Sequence, residues 1–478
     1  MTVISSLYSG ISGIVANGSA LSVSGDNIAN MNTPGFKTST ALFETAISQR
    51  IGEANVGLGS RLAGTSANFA QGAFANSTKP TDLAIQGKGF FVVKDSANNS
   101  YYTRAGSFTQ DSSGNLVTGA TGYALQGKLI TTSGTTETVS GTLSSINLLG
   151  SNASSAPQET TDIAFSANLN SSTSVRTDSW SGASATTAAN SSDFNISTTV
   201  YDSLGNSRAI TTYFRHVAAN KWTYHVTTPV SNLANGSGTS TATAVLQEGV
   251  IGFDTSGNFS SVTKATAAAP LTSLGIGAAC TGSTFDLNGT LVAGEVINPA
   301  LTSPNSDLQW ASGAAAIASA SGAIGVTFDF GQSGAATTSM TQYSASNSSV
   351  SNVSQDGRSQ GSLQSIEITN AGILKGVFSN GSSRNLYEIQ LSTFANEEGL
   401  TRVGSNLYTA SASSGDAQVG APSSSGRGQI TSFAIEQSNV DLATEFVKII
   451  TFQRGFQASS RTVSTASELL QDLVRLGQ

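Results

Sequence analysis

The strongest constraint on how this chain folds is a three-and-four spacing of apolar and small residues at each of its ends. Ile4, Leu7, Ile11, Ile14, Gly18, Leu21, Gly25 and Ile28 occupy successive a and d positions of a heptad, and Tyr8 and Val15 widen the stripe. That spacing predicts a helix over 1–30 that buries one seam against other helices. Gly10, Gly13, Gly18 and Gly25 oppose it, each costing about 1 kcal/mol relative to Ala, so the helix is expected to hold only when packed. At the other end Leu442, Ile449, Phe452, Phe456, Val463, Ala466, Leu470 and Leu473 share a seam interrupted by Glu445 and Ser459. Ser438 followed by Asp441 reads as an N-cap with an acidic third residue. No Pro follows Pro422, so a helix over 439–475 is unobstructed, and at about 1.5 Å per residue it exceeds about 50 Å. Two arrangements satisfy such ends. They pair within one molecule as a two-helix stalk, or they pair with copies in other subunits and stay loose until assembly. Their weak intrinsic stability favours the second, with ordering coupled to association.

Between the ends the period changes to two. Phe194, Ile196 and Val200 alternate with polar residues, as do Ile210, Thr212 and Phe214, then Trp222, Tyr224 and Val226, Ile366 and Ile368, and Tyr387, Ile389 and Leu391. These are half-buried antiparallel strands. A turn signature, Asp-[Ser/Thr]-x-Gly-Asn, recurs at 111–115, 202–206 and 254–258, with Asp accepting backbone hydrogen bonds and Gly supplying positive φ. The stretches 171–192, 231–245, 311–322 and 344–355 are rich in Ser, Ala, Thr and Asn and read as surface loops or insert boundaries. The expected fold is therefore mainly β with α-helical termini: discontinuous antiparallel β domains plus a terminal coiled-coil helix pair. The expected organisation is a terminal helical domain at 1–30 and 435–478 and an extended connecting region at 31–75. A first β domain covers 76–150 and 360–434, and an inserted β domain covers 151–359.

Composition narrows the function. A net charge of −7 on 478 residues argues against nucleic acid, whose affinity comes largely from Lys and Arg on phosphates. One Cys excludes an internal disulfide and a Cys-rich zinc site, and no apolar run approaches the length of a membrane span. The first basic residue is Lys37, so no cleavable secretory signal is expected. His216 and His225 lack the Cys or carboxylate cluster of a metal site, and the Asp turns lack the closing Glu of a calcium loop. No Gly-x-Ser-x-Gly, His-Glu-x-x-His or Walker loop is present, and Cys280 reads as a packed small apolar residue. No catalytic, metal or cofactor-binding residue is assigned.

Asp26-Asn27-Ile28-Ala29-Asn30-Met31-Asn32-Thr33-Pro34-Gly35-Phe36-Lys37 resembles the motif after the first helix in the bacterial flagellar rod and hook family. Ser438-Asn439-Val440-Asp441-Leu442, with Gln453-Arg454-Gly455-Phe456-Gln457-Ala458, resembles that family's C-terminal helix. The motif positions are Asn27, Asn30, Thr33, Gly35, Phe36, Ser438, Asn439, Asp441, Gln453 and Arg454; Asp26 stands where the family often has Asn. Residues 83–91, 102–108, 378–381 and 394–400 look like the family's first β domain, and 199–206 inside a large insert is similar to its longer, hook-type members. The resemblance covers about 1–130, 160–230 and 360–478 and leaves most of 231–358 unplaced.

The resemblance implies a structural subunit, not an enzyme, that self-assembles into a flexible helical tube carrying motor torque from rod to filament. It implies partners in further copies of itself, in flagellar rod, hook cap and hook–filament junction proteins, and in the flagellar type III export apparatus. It places the protein outside the cell, in the basal body and hook, without cofactor, nucleic acid or membrane insertion. The helices would bundle in the inner tube, through Ile4, Leu7, Ile11, Ile14, Leu21, Ile28, Leu442, Ile449, Phe452, Phe456, Val463, Leu470 and Leu473. The β domains would project outward, the insert outermost. The competing readings are a secreted β-rich adhesin or glycan-binding protein, a distal rod-type flagellar protein, and a monomeric hydrolase using scattered carboxylates.

Overall fold

In a computed structural model the protein is described over residues 2–46, 48–51, 54–57, 59–133, 136–178, 180–182, 184–232, 243–264, 326–331, 339–345 and 347–476. Cys280, the stretch 311–322 and much of the unplaced region 231–358 lie outside the described residues. The heptad-spaced ends form helix α1, Thr2–Ala29, and helix α3, Leu442–Leu476. Helix α3 starts three residues later than its capping pattern predicts. Asp441, not Ser438, caps it: the carboxylate accepts the Ala443 N–H (3.0 Å) and the Thr444 hydroxyl (3.0 Å). Ser438 instead accepts the Val440 N–H one turn earlier. The Thr444 bond comes first in holding the Asp441 carboxyl below the usual carboxylate range.

Two compact units divide the chain, Met1–Ala153 with Leu363–Gln478, and Ser154–Ser362. The first is discontinuous because its strands pair across the interruption. Ala124–Ser133 pairs with Ser383–Ile389, Ser100–Thr103 with Leu407–Thr409, Leu83–Gln86 with Gln429–Ser432, and Phe74–Asn76 with Ala434–Glu436, all antiparallel. Phe90–Lys94 lies inside this sheet between Ala124–Ser133 and Ser100–Thr103. Its four consecutive apolar residues are buried on both faces: Phe91 and Val93 join one core with Leu83, Phe108, Leu125 and Ile389, while Phe90 and Val92 join a second with Tyr102, Phe394 and Tyr408. The stretch 31–75 goes further than an extended connection: Ser39–Thr45 and Ser60–Ala67 pair antiparallel from Ser39↔Ala67 to Thr45↔Ser60.

The second unit is a meander of five antiparallel strands, Phe194–Tyr201, Ser207–Ala218, Lys221–Pro229, Thr243–Phe253 and Phe259–Lys264. It shares one core with a smaller sheet of Asp162–Asn168, Ser349–Gln355 and Thr327–Asp329, the last running parallel to its neighbour. Ser349–Gln355 falls in a stretch expected to be loop; its Ser and Asn residues sit at a sheet edge, where most of the strand's side chains face solvent. The stretch 171–192 is also more than a loop and carries a short helix α2, Ala185–Asn190, with a Ser184–Thr187 capping box. The three Asp turns are alike. Asp111, Asp202 and Asp254 each accept two backbone N–H groups, and Gly114, Gly205 and Gly257 hold φ of 87°, 84° and 81°.

Candidate assembly site

Helices α1 and α3 pack antiparallel on one another, so the molecule itself contains the pairing that the two ends were expected to find in other copies. The contact runs through small residues. A Cβ on Gly10 would sit 2.7 Å from Val463 Cγ2, one on Gly13 would sit 2.5 Å from Ser459 Oγ, and one on Gly455 would sit 2.7 Å from Asn17 Oδ1. The glycines that weaken α1 as a helix are thus what let its backbone approach α3, and Ser459, which interrupts the apolar seam, faces that approach. Ala16, Ala20, Ser24 and Asn27 are the fully buried stripe of α1, and Glu445 and Ala466 are buried on α3. Glu445 is tolerated in the seam because Lys448 Nζ lies 2.7 Å from its carboxylate.

Of the residues assigned to assembly, Leu7, Ile14, Leu21, Ile28, Leu442, Ile449, Phe452, Val463 and Leu470 are half-buried within the chain. Ile11 and Phe456 are exposed, and the side chains of Ile4 and Leu473 lie outside the described residues. A second apolar set escaped the heptad reading and faces solvent: Tyr8 (62% exposed), Val15 (63%), Phe446 (53%), Val447 (63%), Ile450 (49%) and Leu469 (53%). The 8, 11, 15 spacing is its own three-and-four repeat, visible in the sequence but absorbed there into one wide stripe.

The helical pair is rooted in the β framework by a polar knot built on the two motifs. Asn27, fully buried, bonds both backbone groups of Ser39: its amide donates to the Ser39 carbonyl (2.8 Å) and its Oδ1 accepts the Ser39 N–H (2.9 Å). Asn439 does the same from the other end, accepting the Thr38 N–H (2.8 Å) and donating to the carbonyls of Asn68 (2.8 Å) and Ala70 (3.0 Å). Asn30 donates to the Asp26 carbonyl and carboxylate and accepts from the Thr33 hydroxyl, which closes the turn after α1. Gly35, at φ 70°, is where any Cβ would lie 2.5 Å from the Ala105 nitrogen, and its N–H donates to the Glu436 carbonyl (2.8 Å). Phe36 is buried under the Arg402 guanidinium (4.7 Å from the ring centroid), and Arg402 also donates to the Lys37 carbonyl.

Inside the knot Lys37 Nζ lies 2.7 Å from Glu436 Oε1, both side chains fully buried, and Arg104 stands 3.7 Å from Glu436 Oε2. The same Oε1 accepts the Gly72 N–H (2.9 Å), and Lys37 donates to the Ala70 carbonyl (2.7 Å). Burial holds the Lys37 ammonium below the ordinary lysine range against the opposing pull of Glu436, and burial also lowers Arg104. Lys37 closes the first motif and Arg104 lies in the family-like stretch 102–108, but Glu436 belongs to no pattern that marks it. Gln453 and Arg454, by contrast, are exposed on α3 and make no hydrogen bond or ion pair among the described residues. No group of three or more His, Cys, Asp or Glu placed to hold a metal occurs among the described residues, and no described helix is long and apolar enough to cross a membrane.

Among the described residues, the buried polar groups of the two motifs are engaged in bonds that tie the paired termini to the β framework, an arrangement suited to a structural protein. Family models agree in the order of the chain: Flagella basal body rod protein over 7–37, Flagellar hook protein FlgE/F/G D1 domain over 84–168, Flagellar basal body protein FlaE D2 domain over 168–358, and Flagellar basal body rod FlgEFG protein C-terminal over 431–476. The flagellar hook protein FlgE of Borreliella burgdorferi is 32% identical, with 98% of this chain and 99% of that protein covered. The one of Escherichia coli K12 is 31% identical with 98% of each covered, and that of Brucella suis is 29% identical over the full length of both. The chain belongs to the flagellar hook protein family, whose members are structural components of the extracellular part of the bacterial flagellum.

Proposed function

We propose that the protein polymerises head to tail into the hook tube, with the α1–α3 pair of each copy laid against those of its neighbours. The observation that carries this is the division of apolar surface on the pair. One face is consumed between α1 and α3, while Tyr8, Val15, Phe446, Val447 and Ile450 remain in solvent on helices already paired. Apolar side chains left exposed along paired helices of a chain of this family mark an interaction surface, and a contact between unlike faces of identical subunits extends into a helix instead of closing. Leu7, Leu21, Ile449, Phe452 and their seam-mates then stabilise the subunit, and the exposed set joins subunits. The motif residues Asn27, Asn439, Gly35 and Phe36 fix the direction in which the helical pair leaves the β framework. Arg454 and Gln453, free on the outside of α3, supply polar contacts at that joint. Rod, cap, junction and export partners meet the same stem, and no catalytic role is read into the molecule.

Electron microscopy of the purified full-length protein, concentrated or seeded with pre-formed tubes, tests this. Wild-type protein is expected to form tubes. Val15→Glu and Val447→Glu are expected to abolish them with the helical circular dichroism signal unchanged. Tubes of normal yield from both variants would show that the exposed face is not the joint.

A further inference from the structure

Both histidines of the chain sit on the same sheet of the second unit and hold the same covering segment. His225 lies on Lys221–Pro229, with its ring stacked on Trp180 at 3.9 Å and 4° and its Nδ1 3.0 Å from Glu248 Oε2. His216 lies on Ser207–Ala218, with its Nδ1 2.6 Å from the Thr173 carbonyl and its ring against Trp222. The rest of the attachment is polar. The Arg215 guanidinium donates to the Asp178 carbonyl and carboxylate, and Asp193 accepts both the His216 N–H (2.8 Å) and Arg176 Nε (2.9 Å). The Tyr213 hydroxyl reaches the Ala185 carbonyl, and Thr243 donates to the Gly182 carbonyl. Arg215, His216 and His225 are all nearly inaccessible, and the second ring nitrogen, Nε2, of each histidine is buried without a hydrogen-bond partner.

We propose that the covering segment, whose described residues are 173–178, 180–182 and 184–193, is a proton-sensitive strap, closed on the sheet while His225 is neutral and lifted when His225 takes up a second ring proton. Nε2 is where that proton must go, and in the closed strap it would be an N–H⁺ in a dry site with no acceptor, which is costly. Lifting the strap admits water to the ring. Two groups oppose the lifting: Glu248 beside Nδ1 and the Trp180 face both favour an imidazolium. Two favour it: the loss of hydration on burial and the Arg215 cation on the neighbouring strand. Asp178, on the strap, is engaged by Arg215. Burial is the largest of these and holds the His225 ring below the ordinary histidine range. The open form therefore binds more protons than the closed one. Closure is fully present above about pH 6.5 and is lost as pH falls below it, by up to about tenfold per pH unit for one linked proton. This strap belongs to the second unit alone and stands or falls separately from the assembly reading.

Hydrogen–deuterium exchange of the full-length protein between pH 8 and pH 5, corrected for intrinsic rates, reads the strap directly. Peptides covering 173–193 are expected to lose protection below pH 6.5 while peptides covering 83–94 in the first unit do not. In His225→Phe, which keeps a ring against Trp180 but cannot titrate at this position, the pH dependence of strap exchange is expected to be clearly weaker than in wild type. Protection in wild type that is flat with pH, or an identical pH dependence in the variant, overturns the proposal. Should the variant lose the underlying sheet, seen as exchange in 207–229 at pH 8, the wild-type imidazole resonances decide. A His225 titration that coincides with strap opening supports the switch, and one that leaves strap exchange unchanged overturns it.

Discussion

Glu436 joins parts of the chain that are 399 residues apart, since its partner Lys37 closes the segment leaving α1 while Glu436 itself opens the segment that leads into α3. The local motif around each was readable: Asn27, Gly35 and Phe36 on one side and Asn439 and Asp441 on the other stood out as a pattern. Their physical roles were not, because an Asn that mimics a backbone partner looks the same in sequence as one in any polar turn. Burying Lys37, Arg104 and Glu436 together is tolerable only as a set, and removing the anion strands two cations away from water. Glu436→Gln is expected to destabilise the first unit by about 3–5 kcal/mol, measured as a urea midpoint. The loss should shrink at high pH. In that variant Lys37 is still further below its unfolded value of about 10.4, so the folded form holds fewer protons and stability rises as pH climbs toward that value. Midpoints at pH 8 and pH 10 check the sign.

At the level of elements, the glycines of α1 separate into two kinds. Gly10 and Gly13 lie against α3, whereas Gly18 and Gly25 have nothing within 4 Å of a would-be Cβ. Gly10→Ala and Gly13→Ala are expected to push the helices apart and destabilise the pair by about 1–3 kcal/mol. Gly18→Ala and Gly25→Ala should stabilise the isolated chain by up to about 1 kcal/mol each through helix propensity. Thermal melts followed by helical circular dichroism distinguish the pairs. If Gly18→Ala and Gly25→Ala also impair tube formation, that open face of α1 is filled by a neighbour. Heptad spacing made both helices legible, but it could not say which apolar residues meet inside the molecule and which face out, because a helix with two apolar faces gives one broad stripe. The strap was illegible for another reason: the Ser, Thr and Asn residues of 171–192 carry no periodicity, and its order comes from Arg215 and the two histidines, which only the folded sheet brings near to Asp178, Trp180 and Thr173.

For the molecule as a whole, the second unit leaves and rejoins the first at one place. The Leu363 N–H donates to the Ala153 carbonyl at 2.8 Å, so the two crossings are adjacent. Excising 154–362 and joining 153 to 363 through two glycines is therefore expected to leave a folded first unit with unchanged helical signal and an undiminished melting transition. Aggregation, or a transition lost altogether, would show that the units do not fold independently. That adjacency explains how a chain can carry a large insert without disturbing the pairing of 124–133 with 383–389 around it, since a loop closed at both ends adds little entropy cost with length.

The sequence by itself determined the class of the fold, the two terminal helices, several of the strands, and membership of the flagellar rod and hook family. These follow from periodicity and from short contiguous motifs, which are local properties. The tertiary structure alone decided that the two ends pair with each other, that Gly10, Gly13 and Ser459 are their contact, that Lys37 meets Glu436 and Arg104, and that both histidines pin one strap. Each of those depends on residues far apart in the chain arriving within a few ångströms. Burial and charge then act on that arrangement in ways that no single stretch of sequence encodes.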